Sequence, residues 1–463
     1  MSCRPEERRV RTLVAVASAL VSSLVGAACE EHLTLAPIRA DAAVRDSEDA
    51  RSQLQSESFV ELVNTARGSD STVEYSYGNT FPAIALPNGF NFWTPVTEAN
   101  SKSWLYEYAS KTIQGFAVSH QPSPWLGDYG SFQIMPSMGG AEDRAAAYEH
   151  SQEVTKPHYY SVPFQSGLQT EITPTEHGAV FRLTYPSGKF ANLLFSVINE
   201  GSAEFSLNAD ARSVTGHVDL AKVRTYFYAT IDHDIRELMH RDGRGAALGI
   251  DLGMTQAPVL LRVATSFIGI DEARQSLERE MGERSFDEVR SAAQKTWDSL
   301  LQRVEIEGAS QAQRVTFYSS LYRLFLYPNS RSEIKGGVTE HFSPYVNDVR
   351  PGEMYVNNGF WDTYRAVWPL YTLLAPKRTG QLLRGMLNAQ RDGGWMPRWS
   401  APGYTECMVG THSDIVLADA YLRGIRDFDL DLAYESMLKN AMVYSDDTSK
   451  GRRGNERSIF RGY

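Results

Sequence analysis

The spacing of hydrophobic residues along the chain changes once, near Asp271. Before that point, short alternating or β-branched runs such as residues 179–184 and 193–197 are separated by Pro-Ser-Gly and Asn-Glu-Gly turns. Many short strands with regular turns are typical of a β-sandwich, in which every second side chain faces the core. The pattern therefore predicts a β-sandwich domain over residues 57–270.

Beyond that point the hydrophobic residues recur with the period of a helix. The predicted helices cover residues 272–281, 286–301, 311–326, 361–374, 376–390, 411–424 and 431–444. Ser285 and Glu288 have the spacing of a capping box for the second helix, and Asp431 is the predicted cap of the last one. Strands followed by a run of helices indicate two domains. We therefore predict a helical connector over residues 271–290 and a helical domain over residues 291–463.

Residues 1–29 have the features of a signal peptide. Three arginines between positions 8 and 11 precede an uncharged stretch, residues 12–28, which ends in Gly-Ala-Ala. This stretch is too short for a comfortable membrane span. Two alternatives remain open: a lipid anchor on Cys29, and a helix that is not cleaved. We expect an exported protein without a membrane span, either periplasmic, secreted or lipid-anchored. Residues 30–56 are polar, lack aromatic side chains and are predicted to be a linker.

Composition narrows the classes of function. The net charge is -10, with 46 Lys and Arg against 56 Asp and Glu, so no basic surplus is present to bind nucleic acid. The cysteines Cys3, Cys29 and Cys407 are too few for a disulfide framework or a structural zinc site. Aromatic residues make up 11% of the chain. Their flat faces favour a carbohydrate ligand as well as a large core.

The densest group of candidate residues lies between Asn357 and Leu370. There Asp362 stands beside Trp361 at the predicted start of a helix. A carboxylate next to a tryptophan can bind the hydroxyls and the apolar ring face of a sugar. A structural alternative is equally open, because Asp362 and Arg365 have the i,i+3 spacing of an ion pair over a buried aromatic stripe.

Two further segments carry candidate residues that also have structural alternatives. The glycine-containing loop 403–414 brings His412 and Asp414 to the start of a helix, where they either face a cleft or cap the helix and bond within the core. In the β-domain, Trp104 and Trp125 lie near turns, where they either face a neighbouring cleft or pack between domains. The residue pattern alone leaves both alternatives open at each position.

A set of short motifs occurs in a fixed order along residues 57–463. The most specific is Trp361-Asp362-Thr363-Tyr364-Arg365 followed by Trp368-Pro369-Leu370. The other matching segments are Gly115-Phe116 through His120, Gly127-Asp128-Tyr129-Gly130, Gly394-Trp395-Met396-Pro397, Met408-Val409-Gly410 with Asp419-Ala420-Tyr421, and Gly451-Arg452-Arg453-Gly454. In this order the motifs resemble glycoside hydrolase family 92, the calcium-dependent exo-α-mannosidases.

The resemblance implies a multidomain β + α fold, an amino-terminal β-sandwich followed by an (α/α)6 barrel. It implies hydrolysis of terminal α-linked mannose in glycans, often α-1,2, with inversion, and a bound calcium that contacts the mannose hydroxyls. It assigns Asp362, with Trp361 beside it, to the subsite that holds the mannose to be cleaved. It also implies that the β-domain lends a tryptophan to the cleft, for which Trp104 is the candidate, and that the loop of His412 faces the same cleft.

The resemblance also implies parts that we do not expect within this chain. Family members extend several hundred residues beyond the position of Tyr463, and their general acid, general base and main calcium ligands are expected there. The catalytic residues are therefore unknown, no metal ligand is assigned, and residues 291–463 are expected to form an incomplete (α/α)6 barrel. Three hypotheses follow: the amino-terminal part of an exported α-mannosidase, inactive by itself; a non-catalytic carbohydrate-binding fragment; or a non-functional product.

Overall fold

A computed structural model describes residues 58–72, 74, 78–98, 104–140 and 145–461. The predicted signal peptide with Cys29 and the predicted linker lie outside these ranges. Within the ranges, none of the helices combines the length and the apolar character that a membrane span requires.

The amino-terminal part of the described chain consists of antiparallel strands. In chain order they are β1 (Phe92–Val96), β2 (Thr112–Ile113), β3 (Gly115–Ser119), β4 (Phe132–Ser137), β5 (Ala146–Ala147), β6 (Val154–Lys156), β7 (Tyr159–Pro163), β8 (Gln169–Pro174), β9 (Gly178–Thr184), β10 (Phe190–Val197), β11 (Ser202–Asn208), β12 (Ser213–Leu220), β13 (Val223–Ile231), β14 (Arg236–Arg241), β15 (Gly243–Arg244), β16 (Ala247–Met254) and β17 (Val259–Ser266). A six-stranded sheet has the order β1-β3-β4-β10-β16-β14, and a nine-stranded sheet has the order β15-β11-β12-β13-β17-β9-β8-β7-β6. This confirms the predicted β-rich domain.

The two sheets meet through aromatic side chains. Burial alternates along β13, as expected when one face of a strand lies against the core. The ring of Phe227 on β13 is fully buried and lies 4.6 Å from the ring of Phe132 and 5.9 Å from that of Phe195, both on the other sheet. The spacing of two that predicts the strands therefore also identifies their buried face.

The carboxy-terminal part is mainly helical. Its helices are α1 (Ile270–Glu280), α2 (Phe286–Leu301), α3 (Gln311–Leu324), α4 (Phe360–Thr363), α5 (Val367–Leu374), α6 (Pro376–Gly393), α7 (Ser413–Leu422), α8 (Leu430–Met442) and α9 (Ser458–Arg461). The capping box at the start of α2 is present: the Ser285 side chain accepts from the Glu288 backbone, and the Glu288 carboxylate accepts from the Ser285 backbone. The prediction of a helical domain after the strands is confirmed.

The predicted cap of α8 is wrong. The cap is Asp429, whose Oδ1 accepts from the backbone N–H of Leu432 at 3.0 Å. Asp429 is the last residue with extended backbone angles, whereas Asp431 already lies in the first helical turn. A capping side chain must precede the helix to reach its unpaired N–H groups, so the choice between two nearby aspartates depends on where the backbone begins to coil.

The helical part also contains short strands that helical periodicity does not predict. They are β18 (Asn329–Ser330), β19 (Ser332–Lys335), β20 (Val338–Ser343), β21 (Asp348–Pro351), β22 (Tyr355–Val356), β23 (Asn358–Gly359) and β24 (Trp399–Ser400). The turn between β19 and β20 is Gly336-Gly337, with φ values of 57° and 82°. A two-residue turn with two positive φ values is a common hairpin connection, and this glycine pair is the sequence signal for the strands on either side.

The predicted helix over residues 361–374 is interrupted between α4 and α5. Ala366, with φ of -128°, separates them. Pro369 lies in the first turn of α5, where a backbone N–H has no helical partner to lose. The break leaves α4 as a single turn that carries Trp361 and Asp362.

The first described residues pack with the helices. The 3₁₀ turn Phe59–Leu62 places the ring of Phe59 5.1 Å from that of Tyr318 on α3. The Val60 backbone N–H donates to Asp298 Oδ1 on α2 at 2.9 Å. The segment before β1 therefore contributes to the core of the helical part.

Candidate functional site

Two loops from the two structural parts meet at Asn357, just before α4. The Tyr129 hydroxyl, at the end of the β3–β4 loop, donates to Asn357 Oδ1 at 3.1 Å. The Asn357 amide donates to the His120 carbonyl at 3.0 Å and to Asn329 Oδ1 at 2.9 Å. Asn357 is buried and has φ of 59°, a conformation that asparagine adopts more readily than most residues. The sandwich thereby fixes the backbone that leads into α4.

The buried Asp128 carboxylate links the two ends of the β3–β4 loop by hydrogen bonds. Asp128 Oδ1 accepts from the backbone N–H groups of His120 and Tyr129, each at 2.8 Å. The ring nitrogens of His120 lie 3.0 Å from the Tyr129 carbonyl oxygen and 2.8 Å from Asn91 Oδ1. Burial lowers the pKa of His120 to about 3 and raises the pKa of the Asp128 carboxyl. The histidine is therefore neutral near pH 7, and its single N–H donates to one of these two oxygens.

The Asp362 carboxylate is exposed on α4. Across the residues that the structure describes, it has no hydrogen bond and no ion pair. It lies over Gly359: a Cβ on that glycine would stand 2.4 Å from Asp362 Oδ2 and 2.3 Å from Trp399 Nε1. Only a residue without a side chain permits this approach. The carboxylate keeps its acceptor positions open, beside the indole N–H of Trp399.

Near this carboxylate lie two N–H donors that have no hydrogen-bond partner among the described residues. Trp399 reaches it because β24 pairs with β23, opposite Gly359. Asn358 Nδ2 is buried and has no hydrogen-bond partner in the described part of the chain, while Asn358 Oδ1 accepts from the Thr363 hydroxyl at 3.4 Å. An unpaired buried donor costs about 1–3 kcal/mol. A ligand oxygen that accepts from these groups removes that cost.

A half-exposed aromatic cluster adjoins Asp362. The His412 ring stacks on Tyr364, with centroids 4.7 Å apart, and meets the edge of Trp361 at 4.8 Å. The Arg365 guanidinium lies over the rings of Trp361 and Tyr364, at 4.7 and 4.3 Å, and donates to the Trp361 carbonyl at 3.3 Å. The described structure therefore uses Arg365 to hold the aromatic rings. It does not contain the Asp362–Arg365 ion pair that we considered as the structural alternative.

His412 has one engaged and one available ring nitrogen. Its Nδ1 lies 3.1 Å from the Gly410 carbonyl oxygen. A carbonyl only accepts, so Nδ1 is the donor, and in this tautomer Nε2 is the acceptor. A Cβ on Gly410 would stand 2.6 Å from the His412 ring, so this glycine allows the ring to turn back over its own loop. The ring thus packs against Trp361 and still presents an acceptor.

Asp414 is fully engaged within the protein. Its Oδ1 accepts from Asn440 on α8 at 2.7 Å, and its Oδ2 accepts from the Thr411 hydroxyl at 2.7 Å and from Arg452 at 3.2 Å. Burial raises the pKa of the Asp414 carboxyl. These bonds join the start of α7 to α8 and to the segment after it. These contacts agree with the structural alternative for Asp414, in which the carboxylate bonds within the protein at the start of the helix.

The two tryptophans of the sandwich differ in their surroundings. Trp104 is half-buried and precedes Leu105, whose carbonyl accepts from the Thr97 backbone N–H at 2.8 Å, just after β1. A place for Trp104 in the cleft stays a prediction. Trp125 is 72% exposed at the tip of the β3–β4 loop, so packing between the two parts does not account for it.

Sequence reasoning did not single out Trp399, Asn358 or Tyr364 for the site. Trp399 and Asn358 come together only through the two-residue pairing of β23 with β24, which is too short to leave a periodic pattern. The available signal was Gly359 directly before a helix, where a capping side chain is more common. A glycine at that position indicates that something approaches the backbone closely.

The described residues do not by themselves form a calcium site. Calcium takes about six to eight oxygen ligands. Nowhere in residues 58–461, apart from the gaps given above, do three or more His, Cys, Asp or Glu side chains gather closely enough to hold a metal ion. Asp362 offers a single carboxylate to such an ion.

Two family models match consecutive parts of the chain. Residues 62–266 match the glycosyl hydrolase family 92 N-terminal domain, and residues 272–463 match the glycosyl hydrolase family 92 catalytic domain. Among curated proteins, an uncharacterized secreted glycosidase of Arthroderma benhamiae is 24% identical, and the match covers 85% of this chain and 53% of that protein.

Solved structures show the same arrangement. A family 92 inverting mannosidase of Bacteroides thetaiotaomicron is 34% identical, with a TM-score of 0.83 over 88% of this chain and 59% of that one. A family 92 α-mannosidase from the same organism, in complex with mannoimidazole, is 24% identical and has a TM-score of 0.73 over 85% of this chain and 57% of that one. This chain thus spans between 53% and 59% of the length of these relatives. The two matched domains, in the order seen in these structures, show that the chain belongs to glycoside hydrolase family 92.

Proposed function

We propose that the protein is a glycoside hydrolase that releases terminal α-linked mannose from glycans, with a preference for α-1,2 linkages and with inversion. The observation that carries the proposal is the Asp362 carboxylate, exposed and without a partner in the described structure. Family membership supports a sugar as its ligand, and two relatives are named mannosidases. A charge-assisted hydrogen bond from a hydroxyl to a carboxylate is about twice as strong as a neutral one.

The surrounding groups fit a pyranose. Trp361 is 44% exposed and offers a flat ring for the apolar face of the sugar. Hydroxyl oxygens can accept from Asn358 Nδ2 and Trp399 Nε1, while one hydroxyl donates to Asp362 and another to His412 Nε2. Each unpaired group at the site then gains a partner of the right kind.

Asp362 is proposed to hold and orient the mannose. Inversion needs a carboxylic acid that protonates the leaving oxygen and a carboxylate that activates water from the opposite face. From the family resemblance we expect both, with the main calcium ligands, after the position of Tyr463. We therefore propose that residues 291–463 form the first part of an (α/α)6 barrel, and that the 463 residues alone bind mannosides but hydrolyse them negligibly.

The test is a paired measurement on the 463-residue protein. Calorimetric titration with methyl α-mannoside should show binding, and methyl α-glucoside, which differs only at the 2-hydroxyl, should bind more weakly. Incubation with α-1,2-mannobiose and calcium should release almost no mannose. Ready release would show that the acid and base lie within these residues. If the protein is folded and does not bind methyl α-mannoside, the proposal is contradicted.

Export is a separate proposal, supported by the basic and apolar segments of residues 1–29 and by the description of the Arthroderma relative as secreted. Expression in a bacterial host that processes signal peptides should yield protein without its first residues. Amino-terminal sequencing measures this, and mass spectrometry of Cys29 would detect a lipid anchor. A soluble cytoplasmic product that begins at Met1 would contradict export.

A further inference from the structure

A second cavity lies where the sandwich meets the helical part. Its volume is about 270 Å³, close to the lower end of the range of about 300–1,000 Å³ that is usual for small-molecule pockets. The β8–β9 turn contributes Glu176, the chain just after α2 contributes Arg303, and the first turn of α6 contributes Arg378. None of the residues that line this cavity belongs to the group around Asp362. It is therefore a separate candidate site.

The Glu176 carboxylate lines the cavity without a partner. Across the part of the chain that the structure describes, its side chain has no hydrogen bond and no ion pair within 4.0 Å. The residue is half-buried, and burial raises the pKa of its carboxyl because the charged form loses contact with water. A partly buried charge is favourable only when an opposite charge or a donor accompanies it. A cationic ligand group would supply both.

The two arginines are held by backbone carbonyls and not by carboxylates. Arg378 Nη2 donates to the Pro87 carbonyl at 2.7 Å, and Arg303 Nη1 donates to the Leu374 carbonyl at 2.6 Å. Neither guanidinium forms an ion pair with any described residue. A guanidinium has five N–H donors, and Arg303 Nη2 and Arg378 Nη1 have no acceptor in the described structure. Both side chains are thus anchored and keep donors for an anion.

The remaining wall combines apolar side chains with hydroxyl oxygens. Leu300, Phe325 and Ala375 are among the apolar lining residues. The Thr296 hydroxyl also lines the cavity and donates to the Ala292 carbonyl at 2.9 Å, so only its oxygen lone pairs remain for a ligand. The cavity therefore offers an anion, two cations, an additional acceptor and an apolar surface within one small volume.

We propose that this cavity binds a free α-amino acid with an apolar side chain. Its ammonium group pairs with Glu176, its carboxylate with the guanidiniums of Arg303 and Arg378, and its side chain packs on Leu300 and Phe325. An amine alone would leave the guanidiniums without an opposite charge, and a carboxylate alone would leave Glu176 without one. A zwitterion on a small frame provides both charges at once. The inference is independent of the proposed function, because the two sites share no residue.

The experiment is a calorimetric titration with L-leucine, with N-acetyl-L-leucine, which lacks the ammonium group, and with L-leucinamide, which lacks the carboxylate. The wild type should bind L-leucine, and each derivative should bind about tenfold more weakly, as expected when one charged contact is lost. Glu176→Gln should bind L-leucine about tenfold more weakly than the wild type and N-acetyl-L-leucine equally well. Glu307→Gln is the matched control, an exposed glutamate outside the cavity, and should match the wild type for all three ligands.

Three results would overturn the inference. The first is wild-type protein that is folded by circular dichroism and does not bind L-leucine. The second is equal affinity of the wild type for L-leucine and either derivative, because the cavity would then not recognise both charges. The third is a loss in Glu176→Gln that is as large for N-acetyl-L-leucine as for L-leucine, because Glu176 would then act through the fold and not on the ammonium group. Titration of the same wild-type sample with methyl α-mannoside tests the proposed function separately.

Discussion

Asp362 and Asp414 both lie in the first turn of a helix, α4 and α7, in segments that the family resemblance implies to border one cleft. A carboxylate in a first helical turn is favourable in either case, because the N-terminal end of a helix carries partial positive charge. Asp414 accepts hydrogen bonds from Asn440, Thr411 and Arg452. Asp362 has no such partner within the described structure and stays exposed.

The difference shows how to separate a structural carboxylate from a binding one when both occupy equivalent local positions. Asp414 accepts hydrogen bonds from three separate segments of the chain. Near Asp362 lie Gly359 and two N–H donors that have no partner in the described structure. Substitution of the first should therefore change stability, and substitution of the second should change ligand affinity.

The largest effect is expected for Asp414→Ala. Loss of the carboxylate leaves the Asn440 amide and the Arg452 guanidinium without their acceptor, and the free energy of unfolding should fall by about 3 kcal/mol. Urea unfolding followed by circular dichroism measures this change. The affinity of the folded fraction for methyl α-mannoside should stay near that of the wild type. A stable variant with lost affinity would assign Asp414 to the ligand and reverse the comparison.

Asp362→Asn should do the opposite. The amide keeps the size of the side chain but replaces one acceptor with a donor, so affinity for methyl α-mannoside should fall about tenfold to several hundredfold, since charge-assisted hydrogen bonds contribute roughly 1.5–3 kcal/mol each. The melting temperature should remain within about 1 °C of the wild type. Asp431→Asn is the matched control, an exposed aspartate in the first turn of α8. A lowered melting temperature with normal affinity would show that Asp362 stabilises the fold and does not bind the ligand.

Two histidines extend the comparison to pH. His412 uses one nitrogen within the protein, whereas His177 uses both: Nδ1 lies 2.5 Å from Glu280 Oε1, and Nε2 lies 2.9 Å from the Ser332 carbonyl oxygen. Burial lowers the pKa of His177, but the Glu280 carboxylate outweighs burial, and the pKa rises from 6.5 to about 9. His177 is therefore a buried cation near pH 7, paired with a carboxylate at the junction of the two parts.

Because the folded pKa of His177 lies above the unfolded one, its contribution to stability is complete below pH 6.5 and is lost as the pH rises to about 9. The free energy of unfolding should fall by about 3 kcal/mol across this interval. Denaturation curves at half-unit steps of pH measure the slope. His177→Gln should remove it, and His412→Gln should retain it. A flat profile in the wild type would show that His177 is neutral.

A smaller effect is expected for Gly359→Ala, which adds a Cβ to the backbone beneath Asp362. The added Cβ of Gly359→Ala meets Asp362 Oδ2 and Trp399 Nε1 at distances that atoms cannot share, so the carboxylate must move, and mannoside affinity should fall about tenfold. Gly140→Ala is the control, because a Cβ there has no atom of the described residues within 4 Å. Calorimetric titration of both variants checks the result. Equal affinities would show that the position of the carboxylate over Gly359 is unimportant for binding.

The sequence predicted those features that depend on neighbours along the chain. The change of period near Asp271, the capping box at Ser285 and the burial along β13 each require only a few consecutive residues. The motif around Trp361 also indicated the densest part of the site. It did not show that the Arg365 side chain lies over the ring of Trp361 and leaves Asp362 unpaired, since both arrangements suit the same spacing.

The rest of the site depends on contacts between distant segments. Trp399 approaches Gly359 through one short strand pair, and His412 meets Trp361 where the start of α7 packs against α4. Neither contact has a periodic signature, because each involves one or two residues on each side. The Gly336-Gly337 hairpin is different: its turn signal is present in the sequence, and the helical period on either side concealed it.

The bonds to Asn357 have a consequence for how the two parts of this chain can be inherited or exchanged. Recombination that replaced the sandwich with that of a distant relative would preserve every helix, yet the buried amide of Asn357 would meet a foreign surface. Without a carbonyl at the position of His120 and a hydroxyl at that of Tyr129, the segment before α4 would lose the hydrogen bonds that hold it. A hybrid is therefore expected to keep this segment in place only if its sandwich offers a backbone carbonyl at the position of His120 and a hydroxyl at that of Tyr129.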